Sequence, residues 1–559
     1  MQTNVELDFS PFCALQARLS GICQWLGLAF LIVWTAGCAS LPSKVDRPVS
    51  TALANPVQTR LGQLAAARAA LAGTRNDSGF ALVGNAELAF TSRMTLIKAA
   101  QRTLDIQYYA IFADNTTERM FDALREAAGR GVRIRILLDD FNTSGKNAQV
   151  LTLAFEKNIE MRLFNPLPGG RESMVLRILS NLKDVGRMQR RMHNKIFVAD
   201  NAVAITGGRN LGENYFGQSK GTNFVDIDIL ASGRIVRDLS HSFDQYWNNS
   251  LAYPVQSLMT AQEIKQLAPK TPSADRDAHS QSLPLAGQVP IAAPAQSFDA
   301  AADAANALPD STDLRLLTWT WAPSALLVDQ PSKIAADADD VAESQETAVD
   351  GLLQLMSQAK TDLLIVSPYF VPGKVMMDQF TKLRQRGVRV RVLTNSLASN
   401  DAPAAHAGYA RYRKALLAIG IELYEMHAEQ QGTVRSFGSV VGSTGGSKGG
   451  SRASLHAKVV VADSRLLVVG SMNLDLRSKL QNSEVAIAIR NRTLSQEAIQ
   501  MIEPALTHGA YRVELINGQL MWHAPQGSGL KDSTTEPDAS LALRLLLKLF
   551  GPLAPEEML

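Results

Sequence analysis

The chain is predicted to be an α/β protein of two duplicated lobes, each a mixed, mostly parallel sheet flanked by helices. Three observations predict it. Residues 97–109, ending in Leu104-Asp105-Ile106-Gln107-Tyr108-Tyr109, and residues 357–370, ending in Leu364-Ile365-Val366-Ser367-Pro368-Tyr369-Phe370, share one order of helix end, turn and apolar run. Arg130-Gly131-Val132-Arg133-Ile134-Arg135-Ile136 is answered by Arg386-Gly387-Val388-Arg389-Val390-Arg391-Val392, each after a helical segment (117–129 and 376–385). A glycine at a helix C-terminus followed by alternating β-branched residues is a helix-to-strand junction, and its recurrence marks an internal repeat. Third, a histidine-centred motif occurs twice, at His193 and at His456.

The 559 residues, 46% hydrophobic and 19% charged, exclude a disordered chain, a disulfide mini-scaffold and a rod. The net charge of +3 excludes a dedicated polyanion binder, so any basic surface is local.

From the N-terminus, residues 1–38 read as a membrane-targeting segment. Leu19 to Ser43 carries no charge, and its most apolar part, Trp25 to Gly37, is shorter than the ~20 residues a spanning helix needs. Thr35-Ala36-Gly37-Cys38 resembles a bacterial lipobox, which implies acylation of Cys38 and exposure to the periplasm. Ala39 and Ser40, with no Asp after the cysteine, point to the outer membrane. An uncleaved anchor helix is the alternative, and either form tethers the protein to a membrane. Cys13, Cys23 and Cys38 are the only cysteines, so the body holds no disulfide. Residues 39–76 read as a linker and helix, 77–260 as the first lobe, and 261–311 as a linker rich in Ala, Pro, Ser and Asp. The second lobe spans 312–505, interrupted by a Gly/Ser-rich loop at 429–454. Residues 506–559 form an extension whose apolar stretch 541–550 reads as a helix, docked on its own domain or lying in a membrane interface.

The repeated motif is His193-Asn194-Lys195 with Asp200, Gly207-Gly208 and Asn210, then His456-Ala457-Lys458 with Asp463, Gly470-Ser471 and Asn473, at identical intervals. Four matched positions after a given His arise by chance with odds on the order of 10⁻⁵. Strand alternation puts each His and Lys on one face.

These residues resemble the phospholipase D superfamily. The runs Asp139-Asp140, Arg162-Leu163-Phe164-Asn165-Pro166, Arg191-Met192-His193 and Leu326 to Lys333 are most similar to bacterial cardiolipin synthases of the C type. The resemblance covers roughly residues 80–500. It implies two lobes related by a pseudo-twofold axis around one shared active site, with His193, Lys195, Asp200, His456, Lys458 and Asp463 as the catalytic signature. It also implies that Asp226 and Glu484 are the carboxylates that hydrogen-bond a catalytic histidine, with Asp228 a weaker candidate.

Phosphodiester displacement needs a nucleophile, an acid for the leaving oxygen and cations for the phosphoryl oxygens. One imidazole attacks phosphorus and the other protonates the leaving alcohol, then activates the incoming one. His193 is favoured as nucleophile, with the reverse assignment open. Lys195, Lys458, Asn210 and Asn473 are expected to hold the phosphate oxygens. Asp200 and Asp463, at the far strand ends, are expected to fix the motif by capping turns or pairing with a lysine, ahead of any direct chemistry, and the glycines to serve turns. No metal or cofactor is expected: His241, His279, His406, His427, His508 and His523 show no ligand spacing. Arg187, Arg190 and Arg191 read as a solvated basic face or a recruiter of anionic headgroups.

The leading expectation is a membrane-tethered phosphatidyltransferase, a monomer with internal duplication, acting on phosphatidylglycerol and possibly phosphatidylethanolamine at a membrane surface. A hydrolytic phospholipase D is the alternative, since ~55 M water competes unless the acceptor is oriented. A nuclease is disfavoured because no basic-aromatic stripe is present, and no nucleic-acid partner is expected. An idle envelope scaffold would not keep both motifs intact.

Overall fold

The computed structural model describes residues 40–74, 76–182, 184–260, 262–263, 266, 311–336, 346–428 and 452–550. The targeting segment with Cys38, most of the linker, most of the Gly/Ser loop and residues 551–559 lie outside the described residues.

Two nine-stranded sheets form the body. The first is built from β1 (Ser78–Val83), β2 (Thr103–Tyr108), β3 (Arg133–Asp139), β4 (Ile159–Phe164), β5 (Ile196–Ala199), β6 (Val203–Gly207), β8 (Asp228–Gly233), β9 (Ala252–Pro254) and β10 (Thr320–Ala322), in the order β10-β1-β8-β6-β5-β2-β3-β4-β9. The second uses β11 (Ser324–Val328), β12 (Asp362–Val366), β13 (Arg389–Asn395), β14 (Glu422–Met426), β16 (Val459–Ala462), β17 (Leu466–Gly470), β18 (Val485–Arg490), β19 (Ala510–Ile516) and β20 (Gln519–His523), in the order β11-β18-β17-β16-β12-β13-β14-β19-β20. Strands β7 (Thr222–Val225) and β15 (Arg452–Leu455) pair with each other in parallel, one from each lobe.

The sheets are mixed, but less parallel than the sequence suggests. Within the two nine-stranded sheets, parallel pairing is confined to β2-β3-β4 and β12-β13-β14, where helices Asn115–Gly129 and Gly373–Gln385 supply the first crossover of each. After these, the chain turns back on itself: β5 and β6 are joined through Asp200 and Asn201, and β16 and β17 through Asp463 and Ser464, all four with φ near +50°. Two successive left-handed residues make a tight hairpin, so these neighbours are antiparallel. The lobe boundary also differs from the expected one: β10, which follows the linker, pairs with β1 and completes the first sheet before the chain enters the second at β11.

Alternation in the motif strands divides the core. Ile196 and Val198 face inward and join Phe80 and Leu82 against Val459, Val461, Leu467 and Val469 of the other lobe in one buried cluster. Phe197 and Ala199 face outward with Ile106, Ile134 and Ile136, and Val460 and Ala462 do so with Leu363 and Val390, each set beneath its own lobe's helices. Each such side chain contributes roughly 1.5–3 kcal/mol on burial, so the inner layer fixes the two lobes as one body.

Candidate active site

Both histidines sit where the antiparallel return strand begins, level with the carboxyl ends of the parallel strands. His193 precedes β5, whose Ile196 pairs with Gln107 of β2, and His456 precedes β16, whose Val459 pairs with Val366 of β12. Each is fastened by its backbone to the opposite lobe. The His193 N–H donates to the Ser483 carbonyl at 2.9 Å, and the His456 N–H to the Val225 carbonyl at 2.8 Å.

The carboxylates are exchanged between lobes. Nδ1 of His193 lies 2.9 Å from Oε2 of Glu484, and Nδ1 of His456 lies 2.8 Å from Oδ2 of Asp226. An ionised acceptor holds the proton on Nδ1, leaving the Nε2 lone pair of each ring for the site. Glu484 is itself held by the Ser471 hydroxyl at 2.5 Å and the Ser478 hydroxyl at 2.8 Å. Its backbone N–H donates to Asp329, which pairs with Lys333 at 2.8 Å. Asp228 is engaged elsewhere, in a buried pair with Arg93 at 2.9 Å. Of the two, Asp226, ranked ahead of Asp228 in the sequence, makes the cross-lobe contact.

All four charged motif groups are buried. His193 is 8% exposed, His456 5%, Lys458 3% and Lys195 1%. The Lys195 ammonium donates to the His193 carbonyl and that of Lys458 to the His456 carbonyl, and neither has a carboxylate partner among the described residues. Donors remain on both for an anion. Burial, then the like charge of the other lysine, brings Lys195 down to about 7. Burial brings Lys458 down to about 8. The imidazoles are pushed towards neutrality too, but their surroundings differ. His193 is driven well below the usual range by burial and by Lys195, Lys458 and Arg477. His456 is lowered to about 4 by burial and Lys458, against the pull of Asp226 and Asp401. Burial raises Glu484 above the usual carboxylate range.

Asp200 and Asp463 are remote from this chemistry. Asp200 accepts from the backbone N–H groups of Gln101, Arg102 and Thr103, and Asp463 from those of Lys360, Thr361 and Asp362. Each closes the turn that launches the central parallel strand. Asn210 is used internally, accepting from the Ala110 N–H and donating to the Tyr215 hydroxyl, whereas Oδ1 of Asn473 is buried without a partner among the described residues. Gly208 permits a close approach: a Cβ there would lie 2.4 Å from Oδ1 of Asp226, and one at Gly470 2.2 Å from the Val485 carbonyl. The three arginines ahead of His193 do not form a basic face. Arg191 is fully buried on Asp139, Arg187 pairs with Asp184, and Arg190 donates to the carbonyl of Ala336.

Several residues of the site carry no motif of their own. Tyr109 sets its ring edge against His193 with centroids 5.2 Å apart, while Tyr215 and Phe224 flank His456 at 5.2 and 5.1 Å. In the register of the internal repeat Tyr109 falls opposite Pro368, so no repeated residue type in the sequence points to it. Ser471, Ser478 and Asp329 become visible only once Glu484 is placed. Among the described residues, no cluster of three or more His, Cys, Asp or Glu could hold a metal ion. No helix among them is long and apolar enough to cross a membrane.

The family model described as "Cardiolipin synthase, PLD-like domain" matches residues 94–247 and 352–505. Cardiolipin synthase C of Escherichia coli K12 is 35% identical over 481 residues, covering 84% of this chain and 94% of that relative. An uncharacterized protein of Helicobacter pylori is 30% identical over 534 residues, covering 95% of this chain and 99% of its own length. Among solved structures, a phosphatidylserine synthase from Haemophilus influenzae Rd KW20 superposes with a TM-score of 0.54 at 13% identity, over 88% of this chain and 99% of that one. That last likeness concerns the fold alone.

Proposed function

The chain belongs to the cardiolipin synthase, phospholipase D-like family, and from that premise we propose that it is a phosphatidyltransferase moving a phosphatidyl group from one phospholipid to the headgroup alcohol of another. One observation carries this reading: each histidine is oriented by a carboxylate from the other lobe, so both Nε2 atoms serve a single site.

In the proposed mechanism, Nε2 of His193 attacks phosphorus and the P–O bond to the donor headgroup breaks as the N–P bond forms. His456, protonated when the anionic substrate fills the site, gives its Nε2 proton to the departing alkoxide. It then takes the proton of the acceptor hydroxyl, whose oxygen displaces His193. Surroundings support this assignment: His193 faces three cations, which favour a neutral nucleophile, and His456 faces Asp226 and Asp401, which favour re-protonation. Lys195 and Lys458 neutralise the non-bridging oxygens, and the free Oδ1 of Asn473 accepts from the acceptor hydroxyl or a bound water. The site's burial favours an oriented alcohol over water. The roles of Asp226 and Glu484 are to hold tautomer and orientation; Asp200 and Asp463 shape the turns. We further propose that Cys38 is acylated, tethering a monomer to the periplasmic side of the envelope.

Purified full-length protein incubated with phosphatidylglycerol vesicles, with and without phosphatidylethanolamine, is expected to form cardiolipin. Phosphatidic acid as sole product would instead mark a hydrolase. His193→Ala and His456→Ala are each expected to remove activity by a factor of about 10³ or more with the fold retained. Cys38→Ser is expected to abolish palmitate labelling in cells.

A further inference from the structure

Large apolar side chains stand exposed on the edge of both lobes that borders the site. The stretch 165–195 leaves the carboxyl end of β4 and returns to the start of β5, so all of it hangs from the edge on which His193 lies. Arg171 and Arg177 pin this stretch to Asp140, just past the end of β3. Its surface presents Val175, Leu179 and Leu182, each more than half exposed. In the second lobe, Val375 opens helix Gly373–Gln385 beyond the end of β12 and is 63% exposed beside the exposed Lys374. Helix Leu541–Phe550 packs Leu543 and Leu547 onto Leu397, Ala398 and Ala428, which follow the ends of β13 and β14. The same helix turns Leu541, Leu545 and the exposed Lys548, spaced i, i+4, i+7, outward. No Asp or Glu occurs in 174–183, 373–377 or 541–550.

We propose that this rim is a bilayer-docking surface for an anionic phospholipid membrane, seating the mouth of the site on the lipid from which it draws substrate. Exposed Leu and Val at half a dozen separate points are costly in water and are accommodated at the acyl boundary of a bilayer; the apolar runs themselves carry no acid, the nearest being Glu172, Asp184 and Asp378 at their borders, and the exposed Lys374 and Lys548 within them match anionic headgroups. The arrangement is independent of the Cys38 tether. A tether confines the molecule near a membrane, whereas the rim sets its orientation, with the carboxyl edges of the sheets facing the lipid. The inference rests on the proposed phospholipid substrate and extends it to how the substrate is reached.

The test uses the full chain with Cys13, Cys23 and Cys38 replaced by Ser, so that no acylation occurs and each added cysteine is unique. An environment-sensitive fluorophore is attached at Leu179→Cys, Val375→Cys or Leu541→Cys. Controls are Leu71→Cys and Ile516→Cys, both exposed and lying towards the opposite ends of the two sheets. With phosphatidylglycerol/phosphatidylethanolamine vesicles, the rim labels are expected to shift to the blue and to be quenched by bromine-bearing acyl chains, and the controls to do neither. No rim response, or an equal response from the controls, overturns the proposal. In the same cysteine-free background, Leu179→Asp with Val375→Asp is expected to lower turnover of vesicle lipid about tenfold while sparing a dihexanoyl phospholipid below its micelle concentration. Unchanged vesicle turnover also overturns it. Absence of turnover on both substrates by the unsubstituted protein would sink the enzymatic reading, whereas the label experiment judges the rim without reference to activity.

Discussion

At the scale of single residues, the proposed chemistry rests on the buried lysines and the exchanged carboxylates. Glu484→Gln and Asp226→Asn keep the shape but remove the ionised acceptor that holds the Nδ1 proton. Each is expected to lower kcat by about 10²–10⁴ with little change in KM, measured as transfer at saturating lipid. The lysines set the alkaline side of the pH profile. Lys195 near 7 and Lys458 near 8 lose their charge as pH rises through those values, so kcat/KM is expected to fall from about pH 7 upward and more steeply above about pH 8, mainly through KM, because a bound phosphodiester favours the charged lysine. The acidic limb lies below the ordinary histidine range, since burial and three cations keep His193 neutral there. Stability follows another sign. The folded His456 titrates near 4 and an unfolded one near 6.5, so the unfolded chain binds the extra proton between these values, and stability is expected to decline as pH falls from 6.5 through 4 in thermal melts. A kcat/KM of the unsubstituted protein that stays level between about pH 6 and about pH 9 would refute the alkaline assignment. Lys195→Met is expected to be inactive yet more stable, by about 1–4 kcal/mol, for loss of a buried charge.

Between single side chains and the whole chain, the hairpin is the element that decides geometry. Asp200 and Asp463 each occupy the first left-handed position of a β-turn and accept from successive backbone N–H groups at the foot of the neighbouring strand. Replacement by Ala strands those donors. Asp200→Ala, fully buried, is expected to lose about 2–4 kcal/mol of stability in denaturant unfolding, and Asp463→Ala less because its turn is more exposed. The fraction that remains folded is expected to keep near-normal turnover; a loss of turnover as deep as in His193→Ala would assign these aspartates to the chemistry instead. The same hairpins explain why the sheets are less parallel than the sequence suggests. Helix-strand alternation is loud in residues 97–138 and 357–393, whereas the two-residue turns Asp200-Asn201 and Asp463-Ser464 lack the glycine that usually announces such a hairpin.

For the whole molecule, the exchange of Asp226 and Glu484 makes the site a property of both lobes together. A mixture of His193→Ala and His456→Ala chains is therefore expected to stay at the background of the separate variants, because an intramolecular site cannot be completed by a second monomer. Recovery of activity on mixing would indicate lobes swapped between chains. The face-to-face inner core, from Ile196 and Val198 to Val459 and Val461, keeps the two motifs opposed, and β7 with β15 adds backbone pairing beside it.

Sequence alone determined that the chain is duplicated and that each copy carries His, Lys and Asn at fixed intervals, while the role of Asp226 and Glu484 came only as what the family resemblance implies. Such facts are periodic or local, and periodicity survives in one dimension. The tertiary structure decided which carboxylate serves which histidine, because that pairing joins residues 230 to 291 positions apart. It also took Arg191 out of the basic face and buried it on Asp139, left Asn473 open where Asn210 is occupied, and exposed Leu and Val side chains on three separate segments that follow the carboxyl ends of the parallel strands. Charge and hydrophobicity are written in the sequence; whether a group meets water, a partner or a substrate depends on what the fold brings beside it.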